Sequence, residues 1–321
     1  MIYKLGSFVP NEKLVYVALI LFSFVSVFAL LKIFKNKLPA DQGRDFAFNG
    51  KLSRGKARGA GIIFIICFIV TSLIFVSAAP EYLAYYALIF AGMLSGYLDD
   101  RAEKPWGEYK KGIIDLAISV LLALTFANFN PELLKIDLFF VDFSVNKWIF
   151  IAIATIFFWL MINATNCTDG IDGFCGSLSI NSMVSIIAIG AVLGMDGVHT
   201  KSIVAMIFAI VAYLWFNAEP STILMGDAGS RAIGLFLGLS LLKTGNMILA
   251  IPLCFLILLD GLIGIFKIVL IRFLKINALK NIRTPLHDHF RKNKGWSNTQ
   301  VIFRFNMIQA ILSVVTIMLF K

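Results

Sequence analysis

Long apolar stretches separated by short polar segments dominate the chain. A bilayer-spanning helix needs about 20 mostly apolar residues, and ten stretches come close to that length. They lie at 14–34, 59–79, 82–98, 112–128, 147–165, 176–195, 201–217, 231–243, 247–273 and 301–320. The longest polar segments, 35–58 and 275–300, are too short to form a domain of their own. The pattern therefore predicts an all-α membrane protein of about ten transmembrane helices, in one domain over 1–321.

Composition excludes a soluble globular protein. Hydrophobic residues make up 59% of the 321 positions, and the mean hydropathy is +0.85. Such values are typical of multi-span helical membrane proteins. The four cysteines, Cys67, Cys167, Cys175 and Cys254, have no Cys-x-x-Cys spacing, and we expect four free thiols.

The net charge of +10 is distributed in a way that indicates topology rather than nucleic-acid binding. Lys and Arg concentrate in every second connection, at 35–58, 101–111 and 272–304, and are sparse in the others. Because positive residues mark the cytoplasmic side, both termini are expected outside. Anionic headgroups of membrane lipids and acidic substrates are the expected partners of these segments. In the first segment the basic residues are Lys35, Lys37, Arg44, Lys51, Arg54, Lys56 and Arg58.

Four polar clusters follow the third, fifth, seventh and ninth predicted spans, so alternation places all of them on the cytoplasmic face. Carboxylates at a membrane boundary are costly unless they are paired, and they commonly mark functional sites. Taken singly, each cluster could instead consist of turn and cap residues. The clusters are Asp99-Asp100; Asn163, Asn166, Asp169, Gly170 and Asp172; Asp227 with Ser230; and His287 with His289.

The residue types in these clusters suit phosphate chemistry with a magnesium ion. The adjacent carboxylates of Asp99 and Asp100 repel each other unless a cation compensates, and Mg²⁺ binds through one or two carboxylates plus substrate oxygens. Asp227 lies between glycines that leave its carboxylate accessible, and Ser230 could cap the span that follows. His287 and His289 have no cysteine partner for zinc, so they are interpreted as phosphate donors or proton carriers.

The motifs Leu98-Asp99-Asp100, Asn163-x-x-Asn166-x-x-Asp169-Gly-x-Asp172-Gly, Met225-Gly-Asp227-x-Gly-Ser and Pro285–His289 occur in this order along the chain. Together they resemble the polyprenyl-phosphate N-acetylhexosamine-1-phosphate transferase superfamily. The segment from Thr284 to Arg304, with Gly295-Trp296-Ser297, is most similar to its bacterial phospho-N-acetylmuramoyl-pentapeptide transferase branch.

This resemblance implies attack by undecaprenyl phosphate on the β-phosphate of a UDP-sugar donor in the bacterial inner membrane. In that branch the donor is UDP-MurNAc-pentapeptide and the products are lipid I and UMP. Asp227 would bind Mg²⁺, Asp99 would deprotonate or orient the lipid phosphate, and Asp100 and Asp172 would support metal or substrate. The remaining expected substrate contacts are Lys56, Lys111, Asn163, Asn166, Asp169, Gly170, Ser230, His287 and His289.

Three departures from the family pattern bear on the substrate. The middle position of the histidine box is Asp288, the segment from Gly55 to Gly61 only loosely matches Thr-Pro-Thr-Met-Gly-Gly, and Leu224 stands where an aromatic residue often stacks on uracil. A UDP-GlcNAc transferase is therefore the alternative within the superfamily. A secondary transporter is the alternative from another class, although it would place its acids near the bilayer centre. Two further questions stay open from the sequence: whether the reaction has one step or two, and whether the protein is a monomer or a homodimer.

Overall fold

The computed structural model describes residues 11–43, 53–104, 106–137, 142–272, 274–276 and 279–320. Arg44 and Lys51 of the basic segment, and the last residue of the predicted 247–273 stretch, lie outside the described residues. The described α-helices are α1 Glu12–Phe34, α2 Gly61–Phe75, α3 Pro80–Arg101, α4 Glu108–Phe129, α5 Lys147–Thr168, α6 Phe174–Leu193, α7 Gly197–Asn217, α8 Gly226–Lys243, α9 Ala250–Leu253, α10 Phe255–Arg272, α11 Leu286–Lys294 and α12 Asn298–Leu319.

The prediction of a helical membrane protein is confirmed, and each predicted stretch contains a helix. Six helices in the described residues are long and apolar enough to cross a bilayer, namely α1, α4, α5, α6, α7 and α12. The predicted 247–273 span is not one straight helix, because the chain bends by 95° between Leu253 and Phe255. At the bend the Gln309 side chain of α12 accepts the Leu256 N–H at 3.0 Å and donates to Pro252 O at 2.9 Å. It replaces the bond that these two backbone groups would form in a continuous helix.

Helix α8 lies at the centre of the helix bundle. All of its residues from Gly226 to Lys243 are buried, with α2, α3, α5 and α6 packed around it. A side chain at Gly96 of α3 would overlap the backbone of Asp227, so this glycine permits the close approach of the two helices. Since α8 starts at Gly226, five residues before the predicted 231, Asp227 belongs to its first turn.

Charged and amide side chains connect one end of α3, α4 and α8. Lys243 Nζ at the end of α8 lies 2.6 Å from Glu81 Oε1 at the start of α3 and 2.8 Å from Asn130 Oδ1, which follows α4. The Asn130 amide also donates to Glu81 over 2.9 Å. The opposite ends of the same three helices carry Asp99 and Asp100, Lys111, and Asp227. One end of this helix group is thus held by a buried ion pair, and the other carries most of the predicted site.

A short two-stranded sheet, which was not predicted, lies outside the helices. Strands β1, Lys135–Asp137, and β2, Asp142–Ser144, pair antiparallel between α4 and α5, so the chain is mostly but not entirely α-helical. Ser297 and Gln300 form a reciprocal capping box at the start of α12. The four cysteines are free thiols, as predicted.

Candidate active site

The first turn of α8 is organised by Asp100. The carboxylate of Asp100 accepts the backbone N–H groups of Asp227 and Ala228, at 3.2 and 3.1 Å, and its side chain is 0% exposed. A Cβ at Gly226, where φ is +69°, would overlap the Asp100 carboxylate oxygens. Asp100 therefore stabilises the helix N-terminus. Both carboxylate oxygens are engaged in these contacts and with Arg58, and the role of Asp100 toward metal or substrate stays a prediction.

Asp99 and Lys111, each predicted to act on phosphate, form an ion pair. The Lys111 ammonium lies 2.7 Å from Asp99 Oδ2 and 3.8 Å from Asp227 Oδ2. The other Asp99 oxygen accepts the backbone N–H of Trp106 at 2.7 Å. Asp99 is thus fixed in orientation from two sides, and Lys111 connects it electrostatically to Asp227.

Two arginines flank Asp227, and neither was assigned to the site from the sequence. Arg58 Nη2 lies 3.2 Å from Asp227 Oδ1, and Arg231 Nη2 lies 3.3 Å from Asp227 Oδ2. Arg231 is in turn paired with Asp115 of α4 at 2.7 Å. The i,i+4 spacing of Asp227 and Arg231 was a usable signal for their contact once α8 was known to begin at Gly226.

Arg58 remains a cation in this setting. Burial by itself would lower the pKa of Arg58, but the charges of Asp100 and Asp227 and the hydrogen bond to Asp41 raise the pKa above its ordinary value. The guanidinium therefore stays charged at neutral pH.

These groups line one cavity of about 620 Å³ between α3, α4, α5, α8 and the segment before α2. Asn163 and Asn166 of α5 also line it, as predicted for substrate contacts. The Asn163 amide donates to Trp159 O over 2.8 Å, which leaves its carbonyl oxygen as an acceptor. The charged residues that line the cavity are Arg58, Asp99, Asp100, Glu108, Lys111, Asp115, Asp227 and Arg231.

Lys56 and Asp172 form a separate pair that is not part of the cavity lining. Lys56 Nζ lies 3.2 Å from Asp172 Oδ2 and 2.9 Å from Ser221 Oγ, and the same carboxylate oxygen accepts the Ser221 N–H at 3.0 Å. Asp172 is thus paired with Lys56, and its role toward metal or substrate stays a prediction. Lys56 and Asp172 together join the basic segment to the loop before α8.

His287 is held by an acid that was not predicted from the sequence. Asp260 of α10 accepts the His287 backbone N–H at 2.7 Å and Nδ1–H at 2.8 Å. Asp260 is a single acid in the apolar stretch 247–273. Such an acid is itself a signal of a function or a partner, although the sequence does not show which residue pairs with it. A Cβ at Gly170 would overlap His287 Nε2, which places the histidine against the end of the Asn163–Gly173 motif. The structure thereby brings these two distant motifs together.

The remaining predicted residues have other neighbours. His289 Nδ1 accepts the Arg283 N–H at 3.3 Å, and Asp169, half-buried, directly precedes Gly170. The unusual Asp288 is buried and lies 3.2 Å from Arg291, so the acidic middle position of the histidine box forms an internal ion pair. Ser230 does not cap α8, because the helix starts four residues earlier. Its hydroxyl donates to Gly226 O, and it is not among the cavity-lining residues.

A divalent metal fits Asp99 and Asp227 only together with substrate oxygens. Within the described ranges, no group of three Asp, Glu, His or Cys side chains is arranged to hold a metal ion. Asp99 and Asp227 both line the cavity and both face Lys111. Both carboxylates are paired with Lys111, Arg58 or Arg231 in this structure. A metal ion would share or displace these contacts, and phosphate oxygens and water would complete its shell.

Comparison with known proteins identifies the family. The model of "Glycosyl transferase family 4" matches residues 82–245. A phospho-N-acetylmuramoyl-pentapeptide-transferase from Treponema pallidum (strain Nichols) is 38% identical over 86% of this chain and 81% of its own length. Transferases of the same name from Wolinella succinogenes and the Wolbachia of Brugia malayi are 28% and 27% identical, over 89% and 80% of this chain and 87% and 82% of their own lengths.

The matched region 82–245 contains Asp99, Lys111, Asp227 and Arg231, whereas Arg58 and His287 lie on either side of it. The similarity to the full-length relatives nevertheless extends over most of the chain. The chain belongs to glycosyl transferase family 4, and within it to the phospho-N-acetylmuramoyl-pentapeptide-transferases.

Proposed function

We propose that this protein transfers phospho-MurNAc-pentapeptide from UDP-MurNAc-pentapeptide to undecaprenyl phosphate, with lipid I and UMP as products, in peptidoglycan biosynthesis. The observation that carries the proposal is the cavity at the head of α8, where Asp99 and Asp227 lie among Arg58, Lys111 and Arg231. Phosphoryl transfer needs this combination of positioning groups and positive charge. The 38% identity to the Treponema pallidum transferase supports the choice of donor.

In the proposed reaction, an oxygen of undecaprenyl phosphate bonds to the β-phosphorus of the donor. The bond between that phosphorus and the bridging oxygen breaks, and UMP leaves with the bridging oxygen. Asp99, which Lys111 and the Trp106 N–H hold in place, orients the lipid phosphate and accepts its proton if one is present. Lys111 and Arg231 stabilise the negative charge that moves onto the phosphate oxygens.

The metal is Mg²⁺ in this proposal, held by Asp227 and Asp99 with oxygens of the donor and water. When bound, it neutralises charge on the diphosphate. Asn166, Asp169 and Asn163 contact the uridine end, and His287 and His289 contact phosphate or sugar. Asp260 fixes the ring of His287 through Nδ1, which leaves Nε2 for the substrate. Nε2 accepts a hydrogen bond in the neutral ring and donates one in the imidazolium.

The membrane arrangement follows the charge distribution. The proposal places ten spans in the bacterial cytoplasmic membrane, with both termini outside and the α8 cavity at the cytoplasmic boundary, where a soluble nucleotide and a lipid phosphate can meet. The alternative of a secondary transporter is disfavoured because the acids lie at helix ends rather than at mid-span.

Purified full-length protein tests the proposal directly. It is incubated with undecaprenyl phosphate, MgCl₂ and either UDP-MurNAc-pentapeptide or UDP-GlcNAc, and the lipid product and UMP are quantified by mass spectrometry. We expect equimolar lipid I and UMP with UDP-MurNAc-pentapeptide and no product with UDP-GlcNAc. Turnover of UDP-GlcNAc with none of the muramoyl donor would overturn the substrate but keep the reaction class. UMP release without lipid product would overturn the transfer itself.

A further inference from the structure

Arg58 is a residue of the site that was not assigned from the sequence and that lies outside the region matched by the family model. Its guanidinium contacts carboxylates from three separate segments, with Asp100 at 2.7 Å, Asp41 at 2.9 Å and Asp227 at 3.2 Å. The side chain is 19% exposed and lines the cavity. It is therefore a fixed cation directly beside Asp227, with part of its surface open to a ligand.

The backbone around Arg58 is anchored on both sides. Leu224 N–H donates to Ala57 O at 2.7 Å, and Ala60 N–H donates to Leu224 O at 3.1 Å. On the other side, the Arg58 N–H donates to Pro39 O at 2.8 Å. These bonds tie the residue to the chain just before α8, so its position relative to Asp227 is set by main-chain geometry. A side chain held in this way needs little ordering when a ligand binds.

Asp41 supports the same arrangement from the segment before it. Its carboxylate accepts Ser53 Oγ–H at 2.6 Å and the Gly43 N–H at 3.1 Å, in addition to Arg58. The Asp41 side chain is only 3% exposed. Asp41 is a positioning residue, because its bond to Nη1 fixes the guanidinium with Nε toward Asp100 and Nη2 toward Asp227.

Two donors of the guanidinium are left over. Arginine has five N–H groups, and the bonds to Asp100, Asp41 and Asp227 use one each on Nε, Nη1 and Nη2. One N–H on Nη1 and one on Nη2 have no partner among the residues that the structure describes. Arg58 lines the cavity, and guanidinium N–H groups are well suited to phosphate oxygens.

We propose that Arg58 is a substrate-binding residue that donates these two N–H groups to the diphosphate of the nucleotide donor. The inference rests on the proposed function for the identity of the donor, but it specifies a contact to phosphate rather than to uridine or sugar. Lys56, which was predicted only as a substrate contact, is bound to Asp172 and Ser221. Arg58, and not Lys56, is the residue of this segment that lies beside Asp227.

Ligand binding without turnover tests this contact. Dissociation constants for UDP and for uridine are measured by ligand-observed NMR on the full chain in detergent, at fixed MgCl₂, for wild type, Arg58→Lys and Arg58→Gln. Both variants should bind UDP about tenfold to a hundredfold more weakly, on the scale of lost hydrogen bonds to a charged group. Uridine affinity should stay within about twofold, because uridine has no phosphate. Arg58→Lys keeps a positive charge among the three carboxylates, so it decides the question if Arg58→Gln does not fold.

The matched control is Arg54→Gln, which removes one positive charge from an exposed position of the same segment. It should change neither constant. Unchanged UDP affinity in folded Arg58→Lys, or an equal loss for UDP and uridine, would overturn the inference. If wild-type protein makes no lipid I but Arg58→Lys still loses UDP affinity, only the proposed function fails.

Discussion

At the scale of single residues, Asp99 and Asp100 show how two neighbouring carboxylates acquire different tasks. Successive residues of an α-helix point about 100° apart. On the last turn of α3, Asp100 therefore points at the N-terminus of α8 while Asp99 points at Lys111. The repulsion expected for the pair is relieved by two different cations, Arg58 and Lys111. Of the two carboxylates, Asp99 is the one proposed to act on the lipid phosphate.

Asp227→Asn should lower kcat by at least about a hundredfold, the scale of removing a charge-stabilising group from an active site. The substitution keeps the shape of the side chain but removes the charge that faces Lys111, Arg58 and Arg231. Steady-state lipid I synthesis is measured with MgCl₂ and with excess EDTA. Glu103→Gln, at an exposed position nearby, is the control and should be as active as wild type. Near-normal turnover of Asp227→Asn, or full activity of wild type in EDTA, would contradict the metal assignment.

Gly170→Ala should lower activity about tenfold or more while the protein stays folded. A methyl group at this position overlaps His287 Nε2, and a small displacement of a positioned catalytic or binding group is costly in rate. The assay is kcat/KM for the UDP donor, with thermal unfolding measured in parallel. Gly197→Ala, where the new Cβ meets nothing within 4 Å, is the matched control. Equal kcat/KM for the two variants would show that His287 does not depend on this packing.

At the scale of helices and loops, the apolar runs predicted where helices occur, because length and hydropathy are local properties. The start of α8 was missed because Gly226, Asp227 and Ser230 resemble a turn when read alone, whereas Asp100 caps the helix from outside. Arg58 and Asp227 lie 169 positions apart in sequence, so their contact exists only after folding. Single charges in apolar runs, such as Asp115 and Asp260, gave no pattern that would identify their partners.

The ion pair between Glu81 and Lys243 should stabilise the helix group measurably. Lys243→Met leaves Glu81 without its cation, and breaking a buried pair costs on the order of 3 kcal/mol. The double variant Glu81→Gln with Lys243→Met should be less destabilised than the sum of the single variants. The measurement is thermal unfolding in detergent. Lys201→Met, which breaks a pair with the 71% exposed Glu12, is the control, with an expected loss below about 1 kcal/mol. Additive single effects would show that the pair contributes no coupling energy.

At the scale of the whole molecule, the one-sided placement of the site can be tested by labelling. In a background without the four native cysteines, single cysteines at Glu108 and Lys292 should be protected from an impermeant thiol reagent in intact cells. A cysteine at Glu132 should react, because the connection after α4 is expected on the outer side. All three positions are exposed, so burial cannot explain protection. Labelling of position 292 from outside would contradict the topology.

The two charged ends of the α3–α8 pair also limit the membranes that suit this protein. Glu81 and Asp99 are 18 residues apart, and Asp227 and Lys243 are 16 apart, which corresponds to about 24–27 Å at 1.5 Å per residue. A typical hydrocarbon core is about 30 Å thick. In a thicker bilayer, lipid must compress around the protein or one charged end must enter the acyl region. If the proposed function holds, the depth of Asp99 and Asp227 relative to the lipid phosphate changes with acyl-chain length, and we expect turnover to change with it.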